Sequence, residues 1–243
     1  MSDIDPDGWE KNSAWWQEGY TDGVDPEYEE QMIPIAMELL AGYQSVLDVG
    51  CGEGQIARRL VANGSSTVVG VDPTSNQIIA ARQRAGGPEY ARAQAESLPV
   101  ASSSFDAVIA CLVFEHIADH VPAIGEIARV LRLGGRFVLF LNHPLLQCPG
   151  SGWIVDHVLE EEYWRIGPYL TVDVSMEELA PGVALPFVHR PMSHYLNALI
   201  GNGLDIVEME EPPPPAGFLN KADEYADAAS IPRLLVLVAE RRR

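Results

Sequence analysis

The chain has 243 residues, 47% of them hydrophobic, and its 16 basic and 35 acidic residues give a formal net charge of −19. This length accommodates one α/β domain with a substantial core. A negative field of this size repels phosphate backbones and anionic lipids, so the composition argues against nucleic-acid and membrane partners.

The three cysteines, Cys51, Cys111 and Cys148, show neither CxxC nor metal-ligand spacing, so we expect no metal site and a reduced compartment. The N-terminus lacks the basic start and apolar run of a signal peptide, and no apolar stretch reaches the roughly 20 residues of a membrane span. We therefore expect a soluble, cytoplasmic protein. Whether it is a monomer or a homodimer stays open.

Residues 1–43 predict an aromatic arm followed by a helix. The arm is acidic but rich in aromatic residues, which disordered tails usually lack, so we expect it to fold back onto the molecule. Asp25 and Pro26 are typical of a helix start, and Pro34 should kink or split that helix. We favour the arm as a cover over a binding site rather than as packing alone, with candidate substrate-binding residues Trp15, Trp16 and Tyr20.

The stretch from Val46 to Leu60 predicts a strand, a tight glycine-rich loop and the start of a helix. Glycines allow positive φ and bring bare backbone against a ligand, and a helix start offers unpaired N–H groups. The glycines stand at positions 50, 52 and 54, whereas a dinucleotide fingerprint places its last glycine three positions on. Asp48, near the end of the strand, would repel a pyrophosphate but suits a positively charged ligand.

This loop resembles the first motif of the class I S-adenosylmethionine-dependent methyltransferases, acid-x-Gly-x-Gly-x-Gly. The resemblance points to the small-molecule branch of that family and implies S-adenosyl-L-methionine as the cofactor. The alternative is a glycine-rich turn without a ligand. Implied cofactor-binding residues in this loop are Asp48, Gly50, Cys51, Gly52 and Gly54.

Strand and helix patterns alternate from residue 44 onward, which predicts a parallel sheet with helices on both faces. Strands are expected at 45–49, 67–71, 89–93, 107–111, 136–141, 205–209 and 234–239, and helices at 55–63, 76–84, 121–131 and 193–201. The resemblance implies an α/β, Rossmann-like, doubly wound fold with a mostly parallel seven-stranded sheet and an antiparallel last strand. Residues 44–142 would form its cofactor-binding core.

Asp72 ends the second predicted strand, where a carboxylate can accept both hydroxyls of a ribose. The same acid would suit NAD, or could simply cap the next helix. Residues 93–99 resemble a family stretch whose acid binds the adenine amino group; here Gln94 keeps the acceptor oxygen but lacks the charge. Gln77 is expected against the adenine. The implied cofactor-binding residues in these segments are Asp72, Pro73, Gln77, Gln94, Ala95 and Glu96.

Residues 104–111 resemble the family's fourth strand, and the resemblance implies that the carbonyl near Cys111 faces the methionine amino group of the cofactor. His116 follows above the reactive end and is our leading candidate for a catalytic base, because imidazole can take up a proton near neutral pH. A structural histidine that holds the loop is the alternative. His143, at the end of the fifth strand, is a second candidate for a base.

Residues 143–190 exceed what this fold needs, and we predict a lid insertion at the ligand-binding edge. The remaining residues, 191–243, predict a helix and a closing hairpin. The polyproline stretch 212–215 is expected to brace the lid. His189, Arg190 and His194 are better explained by ordinary hydrogen bonding than by a metal. Further candidate substrate-binding residues are Trp164, His189 and Tyr195.

The sequence thus predicts a single methyltransferase domain over residues 1–243. It would move a methyl group from S-adenosylmethionine to an oxygen, nitrogen or carbon atom of a small, apolar molecule, with alignment supplying most of the catalysis. Two alternatives stay open. One is a protein that binds S-adenosylmethionine without transferring the methyl group, and the other is an NAD-dependent oxidoreductase.

Overall fold

The computed structural model describes residues 8–222 and 228–242. Within these residues it has eleven strands: β1 (Ser45–Val49), β2 (Thr67–Asp72), β3 (Glu89–Arg92), β4 (Phe105–Cys111), β5 (Leu131–Asn142), β6 (Gly152–Asp156), β7 (Glu161–Arg165), β8 (Asp173–Ala180), β9 (Val183–His189), β10 (Leu204–Glu210) and β11 (Leu234–Arg241).

Seven of the strands form the central sheet, in the order β10-β11-β5-β4-β1-β2-β3. The pairs β5-β4, β4-β1, β1-β2 and β2-β3 are parallel, and β11 runs antiparallel to both of its neighbours, β5 and β10. The predicted sheet with an antiparallel last strand is therefore confirmed. Its parallel strands end together at one edge, where ligands bind in open α/β sheets.

The helices lie on both faces of the sheet and in the N-terminal arm. They are α1 (Gly8–Lys11), α2 (Ser13–Tyr20), α3 (Ile33–Leu39), α4 (Gln55–Ala62), α5 (Ser75–Arg84), α6 (His120–Val130), α7 (Met192–Gly201) and α8 (Ala216–Leu219). Four of them, α4 to α7, occupy the predicted helical segments to within one residue at each end. None of the helices within residues 8–222 and 228–242 is both long enough and apolar enough to cross a bilayer.

The core has two halves, one on each face of the sheet. Along the central strands, neighbouring side chains alternate between them: Val46 and Ile109 pack with α3, α4 and α5, whereas Leu47 and Val108 pack with α6 and α7. All four side chains are fully buried. The central strands therefore read as continuous apolar runs, which is why their positions were predictable.

The N-terminal helix is split where Pro34 was expected to break it. The chain is helical from residue 26, forms a π-helical turn over Tyr28–Met32, and continues as α3 with Pro34 in its first turn. Asp25 starts the helix, because its Oδ1 accepts the backbone N–H groups of Glu27 at 2.8 Å and Tyr28 at 3.1 Å. Proline has no N–H to donate to the helix, and the wider π-helical turn before it accommodates the missing hydrogen bond.

The insertion consists of two antiparallel hairpins, β6-β7 and β8-β9. The sequence did not reveal these strands, since β6 and β7 are largely exposed and bear no buried face that would impose an alternating pattern. β9, in contrast, is buried over its last five residues. It packs against the 114–116 turn that follows β4.

The polyproline stretch and the short helix after it are hydrogen-bonded to the N-terminal helix, and a bracing role toward the insertion stays a prediction. The carbonyl of Pro213 accepts a hydrogen bond from Gln31 Nε2 at 2.6 Å, and the backbone N–H of Gly217 donates to Glu30 Oε2 at 2.8 Å. Both partners lie on the π-helical turn. The stretch therefore packs against the N-terminal helix, because that helix offers side-chain partners for its backbone.

Candidate active site

A cleft opens where the loops after β1, β2 and β4 meet beneath the N-terminal arm. It has two adjoining compartments, of about 870 Å³ and about 1390 Å³, both open to solvent. The first extends toward Asp48 and Cys111, and the second toward Gln94. The residues shared by both are Trp9, Gly50, Pro73, Thr74, Val113, His116 and Ile117.

The three glycines of the first loop have different neighbours, although all have positive φ, at +71° for Gly50, +53° for Gly52 and +84° for Gly54. A Cβ on Gly50 would lie 2.3 Å from Val113 Cγ2, and one on Gly54 would lie 2.2 Å from the Tyr90 hydroxyl oxygen. A Cβ on Gly52 would meet nothing nearer than Trp16 Nε1 at 3.9 Å. Gly50 and Gly54 are thus required by packing, whereas Gly52 borders the open cleft.

Asp72 joins the first two loops. Its Oδ2 accepts the backbone N–H of Gly52 at 3.0 Å, and its Oδ1 accepts that of Thr74 at 2.8 Å. Burial raises the pKa of Asp72, and the backbone hydrogen bonds from Thr74 and Gly52, together with one from the Thr74 side chain, oppose that effect. Asp72 thus orders the turn into α5 and also lines the cleft, and its contact with a ribose stays a prediction.

Two further buried acids line the first compartment, and each has an oxygen without a hydrogen-bond partner among the described residues. Asp48 is 1% exposed, with Oδ2 unpartnered, and burial together with the charge of Asp72 raises its pKa to about 7. Glu53 is also 1% exposed: its Oε2 pairs with Arg58 at 2.6 Å and Arg84 at 2.9 Å, and its Oε1 is unpartnered. Buried carboxylate oxygens left in this state favour a positively charged ligand.

Glu53 was missed by the sequence analysis. It stands between two glycines of the predicted loop and was treated as a spacer. Its pairing with Arg84, at the end of α5, depends on tertiary structure. The signal available in the sequence was an acidic residue between two glycines of the loop.

The residues expected around the adenine divide between the compartments. Gln94, Ala95 and Glu96 line the second compartment only, with Gln94 exposed and Ala95 buried. Gln77 is buried and lines the first compartment, and its Oε1 accepts a hydrogen bond from Gln17 Nε2 at 2.8 Å. The amide of Gln77 is thus engaged by the arm.

Cys111 lies deep in the first compartment and is covered by the N-terminal helix. Its Sγ is 3.7 Å from Met32 Sδ, and it accepts a hydrogen bond from the Tyr28 hydroxyl. Burial raises the pKa of the Cys111 thiol well above its usual value, so it stays protonated. Tyr28 also lines this compartment. Tyr28 was not predicted as a site residue, because the residue types do not reveal the π-helical turn that directs its side chain inward.

His116 lies where the core, the insertion and the arm meet. Its Nδ1 is 2.9 Å from the carbonyl oxygen of Pro186, and its ring contacts those of Trp9 and Phe187 at centroid distances of 4.8 and 4.6 Å. A carbonyl can only accept, so Nδ1 carries the proton and Nε2 keeps its lone pair. Burial lowers the pKa of His116 to about 4, which keeps the imidazole neutral at physiological pH.

The N-terminal arm forms one wall of the cleft, in keeping with its predicted role as a cover. Trp9 lines both compartments and Trp16 lines the first, with Tyr20 stacked on Trp16 at 4.3 Å and Trp15 behind it at 5.2 Å from Tyr20. Trp15 and Tyr20 therefore support the wall and do not line it. Trp9 was not singled out in the sequence analysis, since nothing in the sequence indicated its depth in the cleft.

Four other predicted residues line neither compartment of the described structure. His143 is 3% exposed: its Nε2 is 2.8 Å from Glu211 Oε1, and its Nδ1 accepts the Leu145 N–H at 3.2 Å. Both ring nitrogens are thus used, and we do not retain His143 as a base. Trp164 packs edge-on against Trp153 in the first hairpin, His189 Nε2 is bonded to the Tyr169 carbonyl, and Tyr195 is buried in the core.

The sheet order, the glycine loop and the acids after β1 and β2 together define a fold that binds a nucleoside cofactor at its strand ends. A family model described as a methyltransferase domain matches residues 47–139. The structure is similar to the crystal structure of an S-adenosylmethionine-dependent methyltransferase from Mesorhizobium loti, with a TM-score of 0.76. The two sequences are 28% identical, and the match covers 87% of this chain and 99% of that one. Residues 47–139 therefore form a methyltransferase domain, and the fold of the chain is similar to that of S-adenosylmethionine-dependent methyltransferases.

Each of two curated sequence relatives matches less than half of this chain. An O-methyltransferase of Pyrenophora dematioidea is 32% identical over 128 residues, which is 46% of this chain and 48% of the relative. The O-methyltransferase cnsE of Penicillium expansum is 34% identical over 117 residues, 44% of this chain and 41% of the relative. The chain thus spans less than half the length of these curated relatives.

Proposed function

We propose that this protein transfers a methyl group from S-adenosylmethionine to a hydroxyl oxygen of a small, uncharged, largely apolar molecule. The observation that carries the proposal is the first compartment, which combines unpartnered oxygens of two buried carboxylates with a neutral imidazole and aromatic walls. The two fungal relatives are named O-methyltransferases, which favours oxygen over nitrogen or carbon.

The chain's own groups divide the work of holding the cofactor. Asp48 and Glu53 would face its positive charge, Asp72 would accept the ribose hydroxyls, and the segment from Gln94 to Glu96 would border the adenine. When bound, S-adenosylmethionine supplies a methyl group made electrophilic by its positively charged sulfur. The orphaned carboxylate oxygens and the open space beside Gly52 are the features of this chain that fit such a group.

We place the acceptor against the apolar wall of the first compartment, which includes Trp9, Trp16 and Ile117. No Lys or Arg is among the described residues that line the first compartment, so nothing there would pair with a carboxylate or phosphate on the acceptor. Trp9, Trp16 and Ile117 would exclude water, which strengthens electrostatic interactions in the site. His116 Nε2 would accept a hydrogen bond from the acceptor hydroxyl and take its proton as the new C–O bond forms, when the oxygen becomes a stronger acid than an imidazolium of pKa about 4.

Mass spectrometry tests this proposal. The protein is incubated with S-adenosylmethionine and a panel of phenols and alcohols, together with amine and carboxylate analogues of matched shape. We expect S-adenosylhomocysteine to accumulate with a hydroxylated neutral acceptor, whose product gains one methylene in mass. Cofactor binding by calorimetry without turnover on any acceptor would favour the non-transferring alternative, and turnover only with the amines would overturn the assignment to oxygen.

A further inference from the structure

The turn that carries His116 is held by a buried arginine from the far end of the insertion. Arg190, only 3% exposed, follows β9 and precedes α7. Its guanidinium donates to three backbone carbonyls of this turn: Phe114 at 3.1 Å, Ala118 at 2.7 Å, and Ile117. One rigid, planar donor thus fixes both ends of residues 114–118.

Two more contacts hold the same turn. Glu115 Oε1 accepts the backbone N–H of Asn142 at 2.5 Å and its side-chain amide at 3.2 Å, which fastens the turn to the end of β5. The His116 ring is bonded to the Pro186 carbonyl on β9. Burial raises the pKa of Glu115 to about 7, and the charge of Arg190 is one of the contributions that oppose this rise.

Arg190 is itself held in place from the insertion. His189 Nε2 donates to the Tyr169 carbonyl at 2.8 Å, and the backbone N–H of Met192 donates to the Tyr169 hydroxyl at 2.9 Å. His189 and Met192, which flank the pair Arg190-Pro191, are therefore both anchored to Tyr169, which lies between the two hairpins. The Arg190 guanidinium also lies over the Tyr195 ring, 6.0 Å from its centroid.

We propose that Arg190 is a positioning residue for the methyl transfer, which fixes the 114–118 turn so that His116 presents Nε2 to the cleft. This inference rests on the function proposed above. It gives the insertion a second role besides covering the site, since Tyr169, Pro186 and Arg190 build the frame that orients the base. Lysine could not replace Arg190 fully, because an ammonium lacks the planar set of donors that reaches three carbonyls.

The test uses Arg190→Met, Arg190→Lys and a matched control, Arg241→Met. Arg241 also donates to backbone carbonyls, those of Leu131 and Arg129, at the start of β5 and so at the opposite edge of the sheet. The first readout needs no cofactor. The histidines of each full-length protein are isotope-labelled, the His116 signals are assigned with His116→Asn, and tautomer and pKa are measured by NMR.

We expect His116 in the unaltered protein and in Arg241→Met to stay in the Nδ1–H form well below pH 6. In Arg190→Met the ring should lose its fixed tautomer, and its pKa should move toward the ordinary value of about 6.5. In turnover assays we expect kcat to fall by about 10- to 100-fold for Arg190→Met. The KM for S-adenosylmethionine should change by less than about twofold, and Arg190→Lys should recover part of the loss.

Tyr169→Phe serves as a second variant should Arg190→Met fail to fold, because it removes only the hydroxyl that accepts the Met192 N–H. It should shift His116 in the same direction by a smaller amount. An unchanged His116 tautomer and pKa in folded Arg190→Met or Arg190→Lys would overturn the proposal, whether or not any acceptor has been found. If His116 loses its fixed tautomer in Arg190→Met but kcat is unchanged, then Arg190 does not position a catalytic group and His116 is not the base.

Discussion

At the scale of single residues, the distinguishing feature of the cleft is its three buried carboxylates. Asp48, Glu53 and Asp72 all lie within one compartment, and the pKa of Asp48 is raised to about 7, first by burial and then by Asp72. Glu53 already pairs with Arg58 and Arg84, whereas placing Asp48 and Asp72 out of water is costly unless a cation joins them. The cost is therefore one that a positively charged ligand can offset.

This raised pKa predicts a pH dependence of cofactor affinity. A cation stabilises the ionised form of Asp48, so binding below about pH 7 must first expel a proton, and affinity should rise between pH 6 and pH 8. Calorimetry in two buffers of different ionisation enthalpy should detect the released proton near pH 6.5. Asp48→Asn should bind more weakly and release fewer protons; an identical proton release in this variant would contradict the assignment.

Replacing Asp72 should weaken cofactor binding for two reasons. Asp72→Ala removes the acceptor for the ribose hydroxyls and also frees the Gly52 and Thr74 N–H groups that hold the two loops together. We expect a loss of affinity of at least about tenfold, since hydrogen bonds to charged groups are worth roughly 1.5–3 kcal/mol. Asp205→Ala, which removes an exposed acid paired with Arg242, is the control and should bind normally.

At the scale of elements, the arm is attached to the same elements that build the cleft. Glu10 caps α5, accepting the N–H groups of Ser75 at 2.6 Å and Asn76 at 3.0 Å. A carboxylate at a helix N-terminus also benefits from the helix dipole. Gln17 donates a side-chain hydrogen bond to Gln77, and the Tyr20 carbonyl accepts a hydrogen bond from Gln55 Nε2. A ligand in the first compartment would be enclosed as long as these contacts persist.

Loosening the arm should therefore speed the release of ligand. For Glu10→Ala we expect the dissociation rate of S-adenosylhomocysteine to rise by about fivefold or more, since a lost helix cap costs roughly 1 kcal/mol. Stopped-flow tryptophan fluorescence can follow this step, because Trp9 and Trp16 line the cleft. Glu18→Ala, an exposed acid on the same arm, is the control; equal rates in the two variants would exclude Glu10 as the attachment.

The elements themselves differ in how far their sequences reveal them. β1, β2 and β4 were predicted to within two residues, because they are buried on both faces over most of their length and are apolar there. The hairpin β6-β7 was not, since exposed strands are held by backbone pairing that constrains side chains only weakly. Tyr28 and Trp9 were missed for a related reason: only the path of the arm directs them into the cleft.

At the scale of the whole molecule, the acidic excess should limit stability at low ionic strength. A net charge of −19 on one compact chain produces self-repulsion, which salt screens. We expect the midpoint of thermal unfolding to rise when NaCl is increased from about 20 mM to about 150 mM, over which the Debye length shortens to about 8 Å. A midpoint that falls over this range would show that attractive ion pairs dominate instead.

The sequence by itself determined the sheet, the glycine loop and two of the acids that line the cleft, because each depends on a local run of residues whose burial or turn geometry restricts their type. Asp48, Gly52 and Asp72 belong to this group. Only the tertiary structure decided that Glu53 is a buried acid of the cleft, that His116 and not His143 has a free nitrogen there, and that Arg190 holds the turn of His116. These assignments depend on contacts between segments 31 to 76 residues apart, such as Glu53 with Arg84 and Arg190 with Phe114. Such contacts arise when elements distant in sequence pack against each other, and no local sequence pattern predicts that packing.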